Sequence, residues 1–275
     1  MFSALRALLL IALCGAASAE PLRVLTTIKP LQLLALTVGG ELIDVNTLLA
    51  PQFSPHDYQL RPSDRAKLDS VEVIFWIGPR LEVFLQPVLR TLPAKTVVVS
   101  LQDGETDAHV WLDPIASIAM AQRMASTFAQ LRPERAQFFR GNAERYAASI
   151  READIRHHEE LVRLSKLRGY MVEHDAYRRF KARYGFTHRA ALTDSSELPP
   201  SAATLLNVER QLADGSITCV WREPQQSKQL QRLVADKKLR IGTIDAMAAR
   251  IPVSTEGALQ FYEGMWKEVI ACLTI

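Results

Sequence analysis

A long stretch with almost no turn signals divides this chain and limits the folds open to it. Between Pro133 and Leu167 the only turn signal is Gly141-Asn142, and apolar residues recur at helical spacing. A helix of about 30 residues is about 45 Å long, which is more than one small domain needs. We therefore predict a linking helix within residues 131–167 that joins two lobes.

Short β-like runs alternate with helical runs on both sides of this helix. The predicted strands are 22–28, 44–50, 71–78, 96–101, 109–113, 169–174, 217–223 and 239–245. The other predicted helices are 30–42, 64–70, 115–131, 176–185, 205–215, 226–238 and 258–273. This alternation predicts an α/β fold in which two lobes with mostly parallel sheets, 20–130 and 168–275, flank the linking helix.

Two of these helices begin at residues that favour N-caps. Ser63 is the predicted cap of helix 64–70, with Asp64 favourable in its first turn. Asp113 followed by Pro114 predicts the start of the helix after the run HVWLD.

The first residues have the pattern of a cleaved secretory signal. Arg6 precedes an apolar run over 7–13 and the small triplet ASA at 17–19, which predicts a signal peptide at 1–19 with cleavage before Glu20. The run is too short to span a bilayer as a stable helix, and a buried N-terminal helix is the alternative. Export predicts a periplasmic location.

Export also changes how the cysteines are interpreted. Lipid attachment to Cys14 is an alternative to simple cleavage, although Leu13 before it is bulkier than such signals favour. After cleavage Cys219 and Cys272 remain, and in an oxidising compartment they form either a disulfide or two buried free thiols. Neither lies in a CxxC spacing, so the sequence indicates neither redox catalysis nor a thiolate metal site.

The charge pattern argues against one class of partner. The formal net charge is +3, and no Lys/Arg run is interleaved with aromatic residues. Nucleic-acid binding requires a concentrated basic surface. We therefore expect no nucleic-acid partner, and we expect the chain to act as a monomer.

Four polar side chains are predicted to lie where ligands collect in α/β lobes, at the carboxyl ends of strands. His56 follows the second strand, and His109 begins the run HVWLD. His174 ends the strand GYMVEH, and Asp245 ends the strand LRIGTID. Since two come from each half, the pattern predicts a site in a cleft between the lobes.

The chemistry of this set indicates a metal ion. Three neutral imidazoles and one carboxylate form a tetrahedral ligand set that suits Zn²⁺. Glu223, at the end of the strand ITCVWRE, faces the same predicted cleft. Its side chain either orients a ligand imidazole without binding the metal itself or caps a loop.

Five motifs in order resemble one family over nearly the whole mature chain. They are PHDYQLRPSD, HVWLDP, EHDAYRRFKARYGF, CVWREPQ and IGTIDAM. Together they resemble the zinc-uptake ABC-transporter solute-binding proteins, the ZnuA-like members of the metal-binding cluster A-I.

This resemblance implies a fold, a ligand set and a function. The family has two α/β lobes bridged by one long helix, with the metal held between them. Its ligand histidines correspond to His56, His109 and His174, and Asp245 or a water completes the site. Its C-terminal disulfide corresponds to Cys219 and Cys272. The implied function is capture of Zn²⁺ as transported ligand and delivery to the membrane permease of an ABC importer.

The sequence departs from the family pattern in two places. The segment LQDGETDA before His109 contains no histidine, whereas zinc-uptake members often have a long His- and Asp-rich loop there. The segment DAMA at 245–248 keeps the acid of the usual DPLG but loses its proline and glycine. The first departure makes an accessory role in import an alternative to the main one.

Other functions remain as alternatives. Manganese members of the cluster usually have a glutamate in the third ligand position, whereas His174 favours zinc because imidazole is the softer ligand. A Mn²⁺- or Fe²⁺-binding member and a periplasmic zinc metallochaperone are the nearest alternatives. A zinc hydrolase would need an open metal position and a general base, and no HExxH motif is present. We therefore expect a binding protein rather than an enzyme.

Overall fold

The computed structural model describes residues 20–274 except 103, 105, 106, 168, 194–198, 225 and 226. The predicted signal peptide and Cys14 therefore lie outside the described residues. Two parallel four-stranded sheets organise the described part of the chain, one formed by each half. This arrangement confirms the predicted α/β class with two lobes.

The first sheet consists of β1 (Leu22–Thr26), β2 (Ile43–Thr47), β3 (Val73–Trp76) and β4 (Val97–Ser100). Its strands pair in parallel in the order β2-β1-β3-β4. Every residue of β3 is buried, as expected for a central parallel strand that is covered on both faces.

The second sheet repeats this topology. It consists of β5 (Tyr170–His174), β6 (Ala190–Thr193), β7 (Cys219–Arg222) and β8 (Arg240–Thr243), in the order β6-β5-β7-β8. In both sheets the first strand of the half is central, and the chain crosses over it between the second and third strands. The carboxyl ends of all four strands in each sheet therefore lie at one edge.

Helices pack around the two sheets. They are α1 (Lys29–Gly39), α2 (Pro62–Asp69), α3 (Gln86–Leu89), α4 (Ala116–Leu131), α5 (Ala136–Leu164), α6 (Arg178–Tyr184), α7 (Ala202–Ala213), α8 (Lys228–Val234) and α9 (Gly257–Leu273). The linking helix α5 has 29 residues, so it is about 44 Å long. It packs against α1, α4 and α9, and Gly141 does not interrupt it.

A buried carboxylate attaches the linking helix to the second half. Asp154 of α5 accepts hydrogen bonds from Arg183 Nε and Tyr184 Oη of α6, each at 2.7 Å. Tyr184 Oη in turn accepts a hydrogen bond from Trp266 Nε1 of α9 at 2.9 Å. These bonds connect α5, α6 and α9 in one network.

Direct hydrogen bonds also join the two halves. Trp111 Nε1 donates to the Ala246 carbonyl at 2.9 Å, and Tyr262 Oη donates to the Trp111 carbonyl at 2.8 Å. Trp111, Ala246 and Tyr262 are all buried, and they belong to one hydrophobic core that contains residues of both halves. The halves therefore form a continuous packed body.

The cysteine pair forms the expected disulfide. Cys219 at the start of β7 is bonded to Cys272 near the end of α9. Within the described residues, no helix is both long and apolar enough to cross a bilayer.

The structure corrects two local predictions and adds one strand. The run HVWLD is not a strand: Val110–Leu112 form a 3₁₀ turn. Ser63 does not cap α2, whose N-cap position is Arg61; the backbone N–H of that residue donates to the Asp64 carboxylate at 3.0 Å. Strand β6 (Ala190–Thr193) was not predicted, because its sequence AALT has no run of β-branched or aromatic residues and the strand depends on pairing with β5.

Candidate metal centre

His56 lies on a stiff loop beyond the carboxyl end of β2. Prolines at 51 and 55 restrict this loop, and its residues 51–55 line a cavity of about 140 Å³ together with His56. Ser54 Oγ accepts a hydrogen bond from the His56 backbone N–H at 3.1 Å. The loop thus positions the half-buried imidazole before any ion arrives.

His109 lies just before the 3₁₀ turn that follows β4. The Asp107 carboxylate accepts a hydrogen bond from the His109 backbone N–H at 3.0 Å and lies 2.9 Å from its ring Nδ1. Burial alone would raise the pKa of Asp107, but the hydrogen bonds from His109 and the charge of Arg179 lower that pKa. Asp107 is therefore ionised at neutral pH, and its carboxylate accepts a hydrogen bond from the ring N–H.

His174 is the last residue of β5, as predicted, and it is buried. Its Nδ1 lies 3.7 Å from a Glu223 carboxylate oxygen. Its Nε2 is buried and has no hydrogen-bond partner among the described residues. A buried polar atom without a partner is costly, and a bound cation would supply the missing partner.

These three histidines converge although they come from distant parts of the chain. One ligand nitrogen of each lies within 4.8 Å of the others, and they are the one such metal-capable group among the described residues. The Nε2 atoms of His56 and His109 are 3.1 Å apart. All three residues line the same cavity, with Trp111, Ala176, Glu223 and Met247 among its other walls.

The electrostatics of the cluster favour cation binding. Burial first, and then the neighbouring His109 and His174, lower the pKa of His56 to about 3. Its imidazole is therefore neutral at neutral pH and does not need to lose a proton before it binds a metal. Three imidazoles that line one cavity match the ligands that Zn²⁺ prefers.

Asp245 does not join this cluster. Its carboxylate accepts hydrogen bonds from the backbone N–H groups of Ala249 at 2.8 Å and Arg250 at 2.7 Å. It lines a separate cavity beside α9. The structure brings the neighbouring Ala246 and Met247 to the histidine cavity instead.

Glu223 faces the histidine cavity, and a second acid holds its loop. Glu173, next to His174 in β5, is buried and accepts hydrogen bonds from the backbone N–H groups of Glu223 at 3.2 Å and Ser227 at 2.5 Å. Sequence reasoning missed Glu173 and Asp107. The available signal was their position, since each is a carboxylate one or two residues before a predicted ligand.

The other described histidines lie elsewhere. His157 contacts Glu263 on α9 at 2.9 Å, and the ring of His158 lies against Tyr184. His188 Nδ1 is 2.6 Å from Lys181 Nζ. None of these three belongs to the metal-capable group of the described residues.

Comparison with known proteins points to one family. The "High-affinity zinc uptake system protein ZnuA" of Haemophilus ducreyi is 27% identical over 308 aligned positions, which cover 98% of this chain and 99% of that protein. Because the alignment is longer than this chain of 275 residues, the relative contains insertions.

Solved structures with different metals share the fold. The zinc-bound ZnuA-like domain of Streptococcus pneumoniae AdcA has a TM-score of 0.74 and 19% identity, and the match covers 91% of this chain and 100% of that one. A manganese-bound periplasmic metal-binding protein of Candidatus Liberibacter asiaticus has a TM-score of 0.78 and 16% identity, with 92% and 99% covered. At these identities the likeness shows the fold alone.

The family model described as "Zinc-uptake complex component A periplasmic" matches residues 24–273. This match includes all three clustered histidines and all eight strands apart from Leu22 and Arg23 at the start of β1. The chain therefore belongs to the ZnuA family.

Proposed function

We propose that this protein captures Zn²⁺ between its two lobes, with His56, His109 and His174 as ligands, and delivers the ion to the permease of an ABC importer. One observation carries the proposal: three imidazole nitrogens lie within 4.8 Å of one another in a buried cavity. The Nε2 atom of His174 has no protein partner in the part of the chain described. A cation held by the three rings satisfies this geometry.

Zinc is favoured over manganese by the ligand type. Imidazole nitrogens suit Zn²⁺, whereas Mn²⁺ prefers carboxylate and carbonyl oxygens. The family description and the name of the Haemophilus ducreyi relative both refer to zinc uptake. The ion is cargo here, so the protein acts by binding and release and catalyses no reaction.

The geometry supports three ligands and leaves the fourth ligand position open. The prediction that Asp245 fills it stays a prediction, because its carboxylate is hydrogen-bonded to amides of its own loop. Glu223 lines the cavity, with a carboxylate oxygen 3.7 Å from His174 Nδ1, and is the second candidate for this position.

The wider assignments follow from the same function. We assign residues 1–19 to a signal peptide that directs the chain to the periplasm, 20–130 and 168–275 to the two lobes, and 131–167 to the linker. One chain supplies all three histidines of the cluster, so we assign a monomer without a nucleic-acid partner.

Competition titration of the metal-free mature chain tests this function. We expect it to bind one equivalent of Zn²⁺ and to keep it against excess Mn²⁺ or Fe²⁺. His174→Ala should weaken zinc binding by more than the roughly 10- to 100-fold that loss of an outer partner costs. His158→Ala, a histidine outside the cluster, is the matched control and should bind as the wild type does.

Two outcomes would contradict the proposal. Tighter binding of Mn²⁺ than of Zn²⁺ would assign the chain to manganese import, and substantial ester hydrolysis by the zinc-loaded wild type would indicate an enzyme.

Delivery is tested in the host: deletion of the gene should slow growth under zinc chelation, and added zinc but not manganese should restore it.

A further inference from the structure

Asp107 holds His109 in two ways at once. A single carboxylate oxygen, Oδ1, lies 3.0 Å from the His109 backbone nitrogen and 2.9 Å from its ring Nδ1. Both side chains are largely buried, with 11% and 10% of their surfaces exposed. The contact therefore fixes the main chain and the ring plane of His109 together, away from competing water.

This contact selects one tautomer of the imidazole. An ionised carboxylate only accepts hydrogen bonds, so the ring proton of neutral His109 must be on Nδ1. The other nitrogen, Nε2, is then unprotonated, and it lies 3.1 Å from His56 Nε2 inside the cluster. In this tautomer the lone pair that a metal requires is on the nitrogen that faces the cluster.

The second half of the chain supports this arrangement. Arg179 of α6 reaches across the cleft, and its Nη2 lies 3.5 Å from the Asp107 carbonyl oxygen. Trp111, two residues beyond His109, is hydrogen-bonded to Ala246 and Tyr262 of the second half. The segment from Asp107 to Trp111 is therefore held at both ends by the opposite lobe.

We propose that Asp107 is a positioning residue of the metal site, which sets the tautomer and orientation of His109 so that its Nε2 is ready for Zn²⁺. The proposal rests on the proposed function, and it assigns a role to a residue that does not itself bind the ion. By contrast, the Glu223 oxygen nearest His174 is 3.7 Å from that ring, beyond hydrogen-bond distance. Of the two buried histidines, His109 is therefore the one whose ring orientation is fixed by a hydrogen bond to a carboxylate.

Asp107→Asn provides the test, because it keeps the shape and removes the charge. We expect zinc affinity to fall by roughly 10- to 100-fold, as for other outer partners of ligand histidines. Asp57→Asn is the matched control: Asp57 is an exposed carboxylate directly after His56, and this variant should bind zinc as the wild type does.

Nitrogen NMR of ¹⁵N-histidine-labelled, metal-free protein gives an independent readout, with His109 assigned from its absence in His109→Gln. In the wild type the proton should be on Nδ1, and in Asp107→Asn a substantial part should move to Nε2. An Nε2-protonated His109 in the wild type, or unchanged zinc affinity in a folded Asp107→Asn, would overturn the proposal. Failure of the wild type to bind zinc would overturn the proposed function instead, while the tautomer measurement would still decide the role of Asp107.

Discussion

Two carboxylates, Glu223 and Asp245, are candidates for the fourth position around the ion. Glu223 lines the histidine cavity, whereas Asp245 lines a neighbouring one and is hydrogen-bonded to the Ala249 and Arg250 amides. The altered sequence DAMA accompanies this loop geometry, and Ala248 within it has a positive φ of 54°. Substitution of each acid is therefore expected to change zinc affinity by a different amount.

We expect Glu223→Gln to weaken zinc binding more than Asp245→Asn does. The loss for Glu223→Gln should be roughly 10- to 100-fold, because the Glu223 carboxylate lines the cavity beside His174. Chelator competition at fixed pH would measure both variants. A larger loss for Asp245→Asn, together with an unchanged melting temperature, would instead make Asp245 the fourth ligand.

A fully buried acid near the ligand loops gives a pH prediction. Glu82 accepts hydrogen bonds from Thr27 Oγ1, just after β1, and from the Gly78 backbone N–H, just after β3, the latter at 2.9 Å. Burial raises the pKa of Glu82 to about 7, although bonds from Thr27, Gly78 and Ile77 oppose the shift. The folded state therefore holds this proton at pH values where the unfolded chain has lost it.

The sign of the stability change follows from this difference in bound protons. The contribution of Glu82 to the free energy of unfolding is fully present below its unfolded pKa, near 4.5, and is lost as pH rises through about 7. Between pH 5 and 7.5 the free energy of unfolding should fall by roughly 2 kcal/mol more in the wild type than in Glu82→Gln. Urea unfolding of both metal-free proteins at the two pH values measures the difference, and equal changes would contradict the prediction.

At the scale of elements, the disulfide fastens the last helix to the second sheet. Cys219 and Cys272 join β7 to α9 and are 53 residues apart in the sequence. Closing a loop of that length stabilises the folded state by about 4 kcal/mol in the chain-entropy model. Neither cysteine lines the histidine cavity.

Replacement of both cysteines by alanine should therefore affect stability more than binding. We expect the free energy of unfolding to fall by roughly 2–4 kcal/mol, with zinc affinity within a few-fold of the wild-type value. Urea unfolding and zinc titration of Cys219→Ala/Cys272→Ala measure the two quantities. Loss of zinc binding in a folded double variant would show that the disulfide also shapes the site.

At the scale of the whole molecule, the contacts between the halves predict a small response to metal. The linking helix α5 packs against helices of both halves, and a shared core and the Trp111 hydrogen bonds join the lobes. A change of lobe angle would have to break these buried contacts. The loop 51–55, which lines the histidine cavity, takes no part in these contacts and can move locally without breaking them.

Small-angle scattering tests this expectation. The profiles of metal-free and zinc-loaded protein should superimpose, because the lobes keep their relative position. His174→Ala with and without zinc controls for effects of the ion on the solution. A decrease in the radius of gyration of the wild type on zinc binding would indicate hinge closure instead.

Regular elements with strong patterns were predictable from the sequence. The apolar runs of β1, β3 and β5 and the helical rhythm of α5 have local causes, namely periodicity and the absence of turn signals. The short strand β6 and the 3₁₀ turn Val110–Leu112 were missed, because their conformation depends on neighbours that are distant in the sequence.

The two-lobed α/β architecture, the linking helix and the three candidate histidines were predictable from the sequence, because they depend on local pattern or on which side chains can bind a metal. The fold alone shows that Asp245 lines a neighbouring cavity and that Asp107 and Glu173 support the histidine site. These contacts could not be predicted, because side-chain direction at a loop depends on backbone hydrogen bonds and long-range packing, which leave no periodic trace in the sequence.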